Sequence, residues 1–245
     1  MTNNKEWFAD WFNSPYYHIL YKDRDYTEAE MFLNNVITLF NMPQNAHVID
    51  LACGKGRHSV FLNKAGFNVL GVDLSANSIA FAKQFENETL HFAEADLRCL
   101  NRNNEFDYAF NLFTSFAYFK SDTENHEVLH QFNACLKPNG FLLLDFFNAE
   151  KIKLRQNCVD TKEIEGITFH TSKEIADNKI YKTIQFETEG EKHSYQEEVQ
   201  LLLLADFEKL FEDTNFRIIK VFGNYSLENF DATESDRLIF IAQKK

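Results

Sequence analysis

With 245 residues, 44% of them hydrophobic and 25% charged, the chain can bury a full core as one large domain or two small ones. A net charge of −12 with no run of cations argues against nucleic acid and against an anionic membrane surface as partners. The four cysteines, Cys53, Cys99, Cys135 and Cys158, have no Cys-x-x-Cys spacing or disulfide framework. The segment MTNNKEWFADWF lacks an apolar signal core, and no apolar run is long enough to span a bilayer. A reduced, cytoplasmic protein is expected.

In chain order, residues 25–41 read as an amphipathic helix with Ala29, Phe32, Val36 and either Leu39 or Phe40 on one stripe, stopped by Pro43. HVIDL is then a short buried strand, RHSVFLNKAG a helix closed by Gly66, and FNVLGVD a second strand. SANSIAFAKQF follows as a helix capped by Ser75. TLHFAEAD and EFDYAFNLF are the third and fourth strands. TENHEVLHQFNACL is a helix ended by Pro138 and Gly140, and FLLLDFF is a fifth strand. Beyond residue 150, three antiparallel strands (EIEGITFHTSKEI, KIYKTIQFETEG, KHSYQEEVQLLLL) precede a helix (ADFEKLFEDTNF) and two closing strands (RIIKVFGNYS, RLIFIAQKK). One α/β domain carrying a β-rich insertion at residues 160–202 accounts for the pattern.

Alternating strands and helices build a parallel sheet covered on both faces, and such sheets bind ligands beyond the carboxyl ends of their strands. Asp50, Asp73, Asp96 and Asp145 all fall at predicted strand ends, on that edge. In VIDLACGKGRHS, Gly54 and Gly56 follow a strand and open a helix, where glycines admit a ligand close to the backbone and the helix offers unpaired N–H donors. Asp73 ends the next strand, placed to grip the two hydroxyls of a ribose, so a nucleoside-containing cofactor is implied. A dinucleotide G-x-G-x-x-G frame places Arg57 or Ser59 at its third glycine. A P-loop ending and any Tyr-x-x-x-Lys pair are absent.

HEVLH, residues 126–130, formally matches a zinc-protease motif. The apolar stripe of that helix runs through Leu129, Phe132 and Leu136, however. This leaves His126 and His130 on the solvent side, away from the strand carboxyl ends, and no metal site is expected.

These motifs in this order resemble the class I S-adenosylmethionine-dependent methyltransferases. DLACGKG resembles their first motif, with Ala52 in place of its first glycine. VLGVDLS resembles their second strand, AEADL their adenine-reading stretch, and LKPNGFLLLDF the run into strand five. The resemblance covers residues 47–147 and implies a Rossmann-like class I methyltransferase fold, α/β, with a central mostly parallel seven-stranded sheet, helices on both faces and a small antiparallel β insertion. It implies one domain with an N-terminal lid and helix (1–42), a cofactor-binding core (43–150), the insertion (160–202) and a closing helix and strands (203–245).

The roles it implies follow residue by residue. Asp50 orients the glycine loop and receives the cofactor's ammonium. Ala52, Gly54 and Gly56 pass the backbone against its methionine part, and Asn111 sits beside that part. Asp73 holds the ribose, with Leu74 packing on adenine. Asp96 accepts from the adenine amino group while the Leu97 N–H donates. Tyr17, Tyr21 and Arg24 form the lid. The cofactor is S-adenosylmethionine, the product S-adenosylhomocysteine, and the acceptor an unidentified small molecule methylated at N or O by a monomer or homodimer. For a general base the candidates are Tyr118, Asp145 and Asn148, with His170 or His193 from the insertion. Each has a structural alternative: aromatic wall, loop-ordering acid, surface strand residue. An NAD(P)-binding oxidoreductase and a non-catalytic S-adenosylmethionine-binding protein stand as alternatives.

Overall fold

The computed structural model describes residues 7–22, 26–119, 121–154 and 158–245. Two short helices, α1 (Trp7–Phe12) and α2 (Pro15–Leu20), open the described chain, followed by α3 (Tyr26–Phe40). Then come β1 (His47–Leu51), α4 (Arg57–Lys64), β2 (Asn68–Asp73), α5 (Ala76–Ala82), β3 (Leu90–Glu94) and β4 (Phe106–Asn111). Next are α6 (Asp122–Cys135), β5 (Leu136–Phe147), α7 (Ala149–Lys153) and four strands: β6 (Cys158–Ile164), β7 (Ile167–Ala176), β8 (Lys179–Thr188) and β9 (Glu191–Gln200). The chain closes with α8 (Leu204–Asp213), β10 (Phe216–Phe222) and β11 (Arg237–Lys244). Among the described residues no helix is long and apolar enough to cross a membrane.

Two compact units result, one from residues 25–151 and 202–245, the other from residues 1–24 and 152–201. The larger unit holds a seven-stranded sheet in the order β10-β11-β5-β4-β1-β2-β3, in which only β11 runs against its neighbours. Strand order reverses between β1 and β4, the place where sheets of this kind open a crevice at their carboxyl edge. Central strands buried on both faces need continuous apolar runs, and Val48, Ile49, Leu51, Ala109, Phe110, Leu142, Leu143 and Leu144 meet that need. The helix stripe predicted over 25–41 resolves in favour of Phe40. Ala29, Phe32 and Val36 are buried and Phe40 packs on the core, while Leu39 is exposed.

Local chemistry sets the element ends. Ser75 caps α5 by accepting from Ser78 N–H. Ser121 and Glu124 form a reciprocal capping box on α6. Pro138 and Gly140 do not end α6 directly, as the sequence suggested. The chain enters β5 at Leu136, and the register against β4 shifts between Phe106 and Tyr108. A Cβ at Gly140 would lie 2.9 Å from the Lys137 carbonyl, so this bulged passage needs glycine.

The smaller unit carries a four-stranded antiparallel sheet, β6-β7-β8-β9. The predicted three strands are four, because EIEGITFHTSKEI is not one strand but the end of β6, a turn at Glu165-Gly166 and the start of β7. Both turn residues have positive φ, 51° and 78°. Only the glycine carried a turn signal; the glutamate masked it. Trp11, Ile167, Phe169, Ile184 and Phe186 form this unit's core, with Tyr16, Tyr17 and Tyr21 packed against it.

The tightest fit in the larger sheet is at Gly71, where a Cβ would lie 2.6 Å from the Phe92 ring and 2.8 Å from Ser59 Oγ. Gly71→Ala is expected to lower stability by about 1–3 kcal/mol through overpacking, read from urea unfolding. An unchanged midpoint would contradict this packing.

Candidate functional site

Past the carboxyl end of β1 the backbone turns through left-handed conformations at Ala52 (φ 62°), Gly54 (φ 56°) and Gly56 (φ 80°). Glycine adopts these freely and alanine at a cost, so Ala52 is a strained position held by its surroundings. The two glycines serve different needs. A Cβ at Gly56 would lie 2.6 Å from the Phe92 ring, so that glycine lets α4 pack against the sheet. At Gly54 a Cβ would meet nothing within 4 Å, so the backbone there faces open space.

Two carboxylates stand beside this turn on neighbouring strands. Asp73 accepts from Gly54 N–H and from Ser75 N–H, each at 2.8 Å, tying the end of β2 to both the glycine turn and the cap of α5. Asp50, expected to orient the glycine loop, instead accepts from the Ser59 hydroxyl at 2.6 Å; the loop amide goes to Asp73. The reason is reach. Asp50 lies inside β1, one residue before its end, whereas Asp73 is the last residue of β2. Burial pushes the Asp50 carboxyl up to about 6, with the Asp73 charge adding to the rise against hydrogen bonds from the Ser59 hydroxyl and N–H and against the Arg57 charge. Burial also raises Asp73, against its bonds from Ser75 and Gly54. Among the described residues neither has a cation within ion-pair distance.

Asn111, at the end of β4, donates to the carbonyls of Leu51 (3.1 Å) and Ser115 (3.3 Å). Its buried Oδ1 has no partner among the described residues. An orphaned buried acceptor at the switch point of the sheet invites a ligand donor. The structure thus brings Asp50, Ala52, Gly54, Gly56, Asp73 and Asn111 together at one edge, with Leu74 half-buried directly after Asp73.

Asp96 lies two residues beyond β3 rather than at its end. It caps the turn at Leu97–Cys99 and pairs with Arg98 at 2.6 Å, and Arg98 also reaches Glu124 at 2.8 Å. Burial would raise the Asp96 carboxyl, but the Arg98 guanidinium and N–H outweigh it and hold it low. Leu97 is half-buried beside it. Tyr17 and Tyr21 belong to the smaller unit. There Tyr17 packs edge-on against Trp11, and Tyr21 donates to Glu197 at 2.7 Å while accepting from Lys182 at 2.6 Å. Arg24 lies outside the described residues.

The base candidates are engaged in structure. Asp145 is fully buried and paired with Arg237 at 2.7 Å. It also accepts from Phe113 N–H at 2.8 Å and from the Tyr225 hydroxyl at 3.2 Å. Arg237 further donates to Thr114 Oγ1 at 3.0 Å. The loop so pinned carries left-handed Phe113, Thr114 and Ala117 (φ 55°, 62° and 65°), and Phe113 stacks on His58 of α4 at 4.9 Å. Asn148 is tethered to the carbonyls of Ala232 and Ser235, and Tyr118 donates to the Thr114 carbonyl. His170 bonds Thr161, and His193 stacks on Phe186. The histidines of HEVLH stay on the outer side of α6, His126 lying 3.9 Å from Asp213. No three His, Cys, Asp or Glu side chains among the described residues cluster to hold a metal. Ser59, Thr114 and Arg237 were not foreseen. Ser59 was legible as a small hydroxyl within the glycine motif, whereas nothing in the sequence links Arg237 to Asp145.

A family model described as a methyltransferase domain matches residues 48–140, the stretch that holds β1 to β4 and the glycine turn. The glycine/sarcosine N-methyltransferase of Parasynechococcus marenigrum (strain WH8102) is 29% identical over 211 residues, covering 81% of this chain and 71% of that one. Among solved structures, an S-adenosylmethionine-dependent methyltransferase from Clostridium acetobutylicum ATCC 824 shares the fold at TM-score 0.79. It is 20% identical, over 94% of this chain and 96% of that one. The sugar N-methyltransferase KedS8 from Streptoalloteichus sp ATCC 53650 shares it at TM-score 0.71 and 18% identity, over 94% and 93%. With its motifs in order on this sheet, the chain carries a methyltransferase-domain match over residues 48–140 and shares the fold of these S-adenosylmethionine-dependent methyltransferases.

Proposed function

We propose that the chain methylates a nitrogen atom of a small-molecule amine, holding S-adenosylmethionine at the edge built by Asp50, the 52–56 turn, Asp73 and Asn111. The observation that carries this is a buried and a half-buried carboxylate, neither ion-paired among the described residues and the first only partly offset by the Arg57 charge, beside a turn that opens to free space over Gly54. A ligand bearing an ammonium and a sulfonium adds positive charge beside two acids that Arg57 offsets only in part. The same charge argues against a dinucleotide, whose diphosphate would meet two acids.

When bound, the cofactor supplies a methyl group already activated by its sulfonium, so positioning carries much of the catalysis. The backbone at Gly54 and Gly56 receives the methionine part, Asp50 faces the ammonium, and Asn111 Oδ1 accepts from the same group. Asp73, its oxygens aimed by two backbone N–H groups, accepts from the ribose hydroxyls. Asp96, held by Arg98, and Leu97 N–H read the adenine edge, and Leu74 packs on the ring.

Nitrogen is favoured over oxygen as the acceptor because Asp145, Asn148 and Tyr118 are committed to holding loops, and a neutral amine needs no base to attack. The N-methyltransferase activities named for the Parasynechococcus marenigrum relative and for KedS8 point the same way. The acidic chain, at −12, suits a cationic or neutral acceptor and a location in the cytoplasm, away from nucleic acid and membrane.

Calorimetry is expected to show micromolar binding of S-adenosylmethionine and S-adenosylhomocysteine, no binding of NADH, and loss of affinity of at least tenfold in Asp73→Ala. Binding of NADH alone would overturn the reading. Because the ammonium favours ionised Asp50, affinity for S-adenosylhomocysteine is expected to rise with pH below about 6 and level off above it. In Asp50→Asn this rise is expected to vanish.

Stability without ligand moves the other way. Folded Asp50 holds its proton more tightly than the ordinary value of 3.8, so stability is lost as pH rises from 3.8 to about 6. Asp50→Asn is therefore expected to be more stable at pH 7.5 by on the order of 1–3 kcal/mol, measured by thermal unfolding. Equal or lower stability would contradict the cost assigned to this burial.

A further inference from the structure

Among the described residues the four-stranded sheet ends on β6, whose seven residues CVDTKEI pair on one side only and are exposed through Glu163. Val159, 78% exposed, stands on this edge. Soluble proteins blunt free edges with proline, a bulge or charges that repel a second strand. β6 has no proline, and its register with β7 runs without a break from Cys158 opposite Lys173 to Ile164 opposite Ile167. Its charges alternate in sign. Asp160 and Lys162 lie on one face, 4.0 Å apart, with Thr161 between them.

We infer that β6 pairs antiparallel with β6 of a second copy of this chain, about a two-fold axis through Thr161. Register decides the matter. An axis perpendicular to the sheet keeps each face continuous, so it must pass through a residue pair, and paired residues must share a face. Centred on Asp160, the pairing sets two aspartates opposite each other; centred on Lys162, two lysines. Centred on Thr161, it sets Asp160 of each copy opposite the partner's Lys162 twice over and puts no like charges opposite one another. That register also overlaps the whole strand, with Cys158 opposite the partner's Ile164 on the face that carries Ile167 and Phe169. The two sheets then join as one of eight strands, and both edges are satisfied. A pair of seven-residue strands is a small interface, which sets the association in the micromolar range rather than tighter.

Sedimentation velocity of the full chain between about 1 and 200 µM, at about 0.15 M salt, tests this. The wild-type chain is expected to pass from monomer to dimer in that range. Asp160→Lys or Lys162→Asp alone sets like charges opposite twice and is expected to weaken dimerisation about tenfold or more. The double variant Asp160→Lys with Lys162→Asp restores both pairs and is expected to return within about threefold of wild type, which also separates lost pairing from lost folding. A chain monomeric throughout, a dimer indifferent to the single reversals, or a double variant that stays weak would each overturn the proposal.

Discussion

Two backbone N–H groups meet on the Asp73 carboxylate, and the candidate site follows from that meeting. Gly54 N–H bonds one of its oxygens and Ser75 N–H the other, so one side chain fixes the glycine turn after β1 and the start of α5 after β2. These bonds partly offset the cost of burying the charge. They also spend only part of the carboxylate's accepting capacity, leaving it able to receive further donors. Asp50, behind it, draws its hydrogen bonds from one residue, Ser59, through its hydroxyl and its N–H. The apo protein therefore carries an electrostatic cost at the place where a cationic ligand would remove it.

A second acid works in the opposite sense. Asp145 is as buried as Asp50 but has a guanidinium partner, and burial of Arg237 is outweighed by that carboxylate. The pair braces a loop whose three left-handed non-glycine residues would otherwise relax. Through Phe113 the brace reaches His58 on the helix that follows the glycine turn. These acids thus divide by partner: Asp145 and Asp96 are paired with arginine, whereas Asp50 and Asp73 are in no ion pair among the described residues, Arg57 acting on Asp50 only from a distance.

The sheet and its glycine turn were legible because their signals are local. Apolar runs of strand length, a glycine pair after the first of them and acids at strand ends each come from a few adjacent residues. Boundaries failed where that locality fails. The β6–β7 turn hides behind Glu165, a residue with no turn preference that adopts φ 51° because its partner strands require it. The β5 bulge follows from its register against β4, not from Pro138. The site was half legible: the sequence marks which acids lie at the edge, but not which of them is neutralised. Arg237 stands 92 residues from Asp145, and only the sheet order brings them together.

Asp50 is a buried carboxylate that no ion pair among the described residues neutralises, and a bound ammonium is proposed to lower its cost. The most direct test is to follow the carboxyl carbon of Asp50 by NMR across a pH titration, with and without S-adenosylhomocysteine. Titration near 6 is expected in the free protein, with a clear downward shift once ligand is bound, as the ammonium stabilises the ionised form. An unchanged or raised titration midpoint with ligand bound would contradict it.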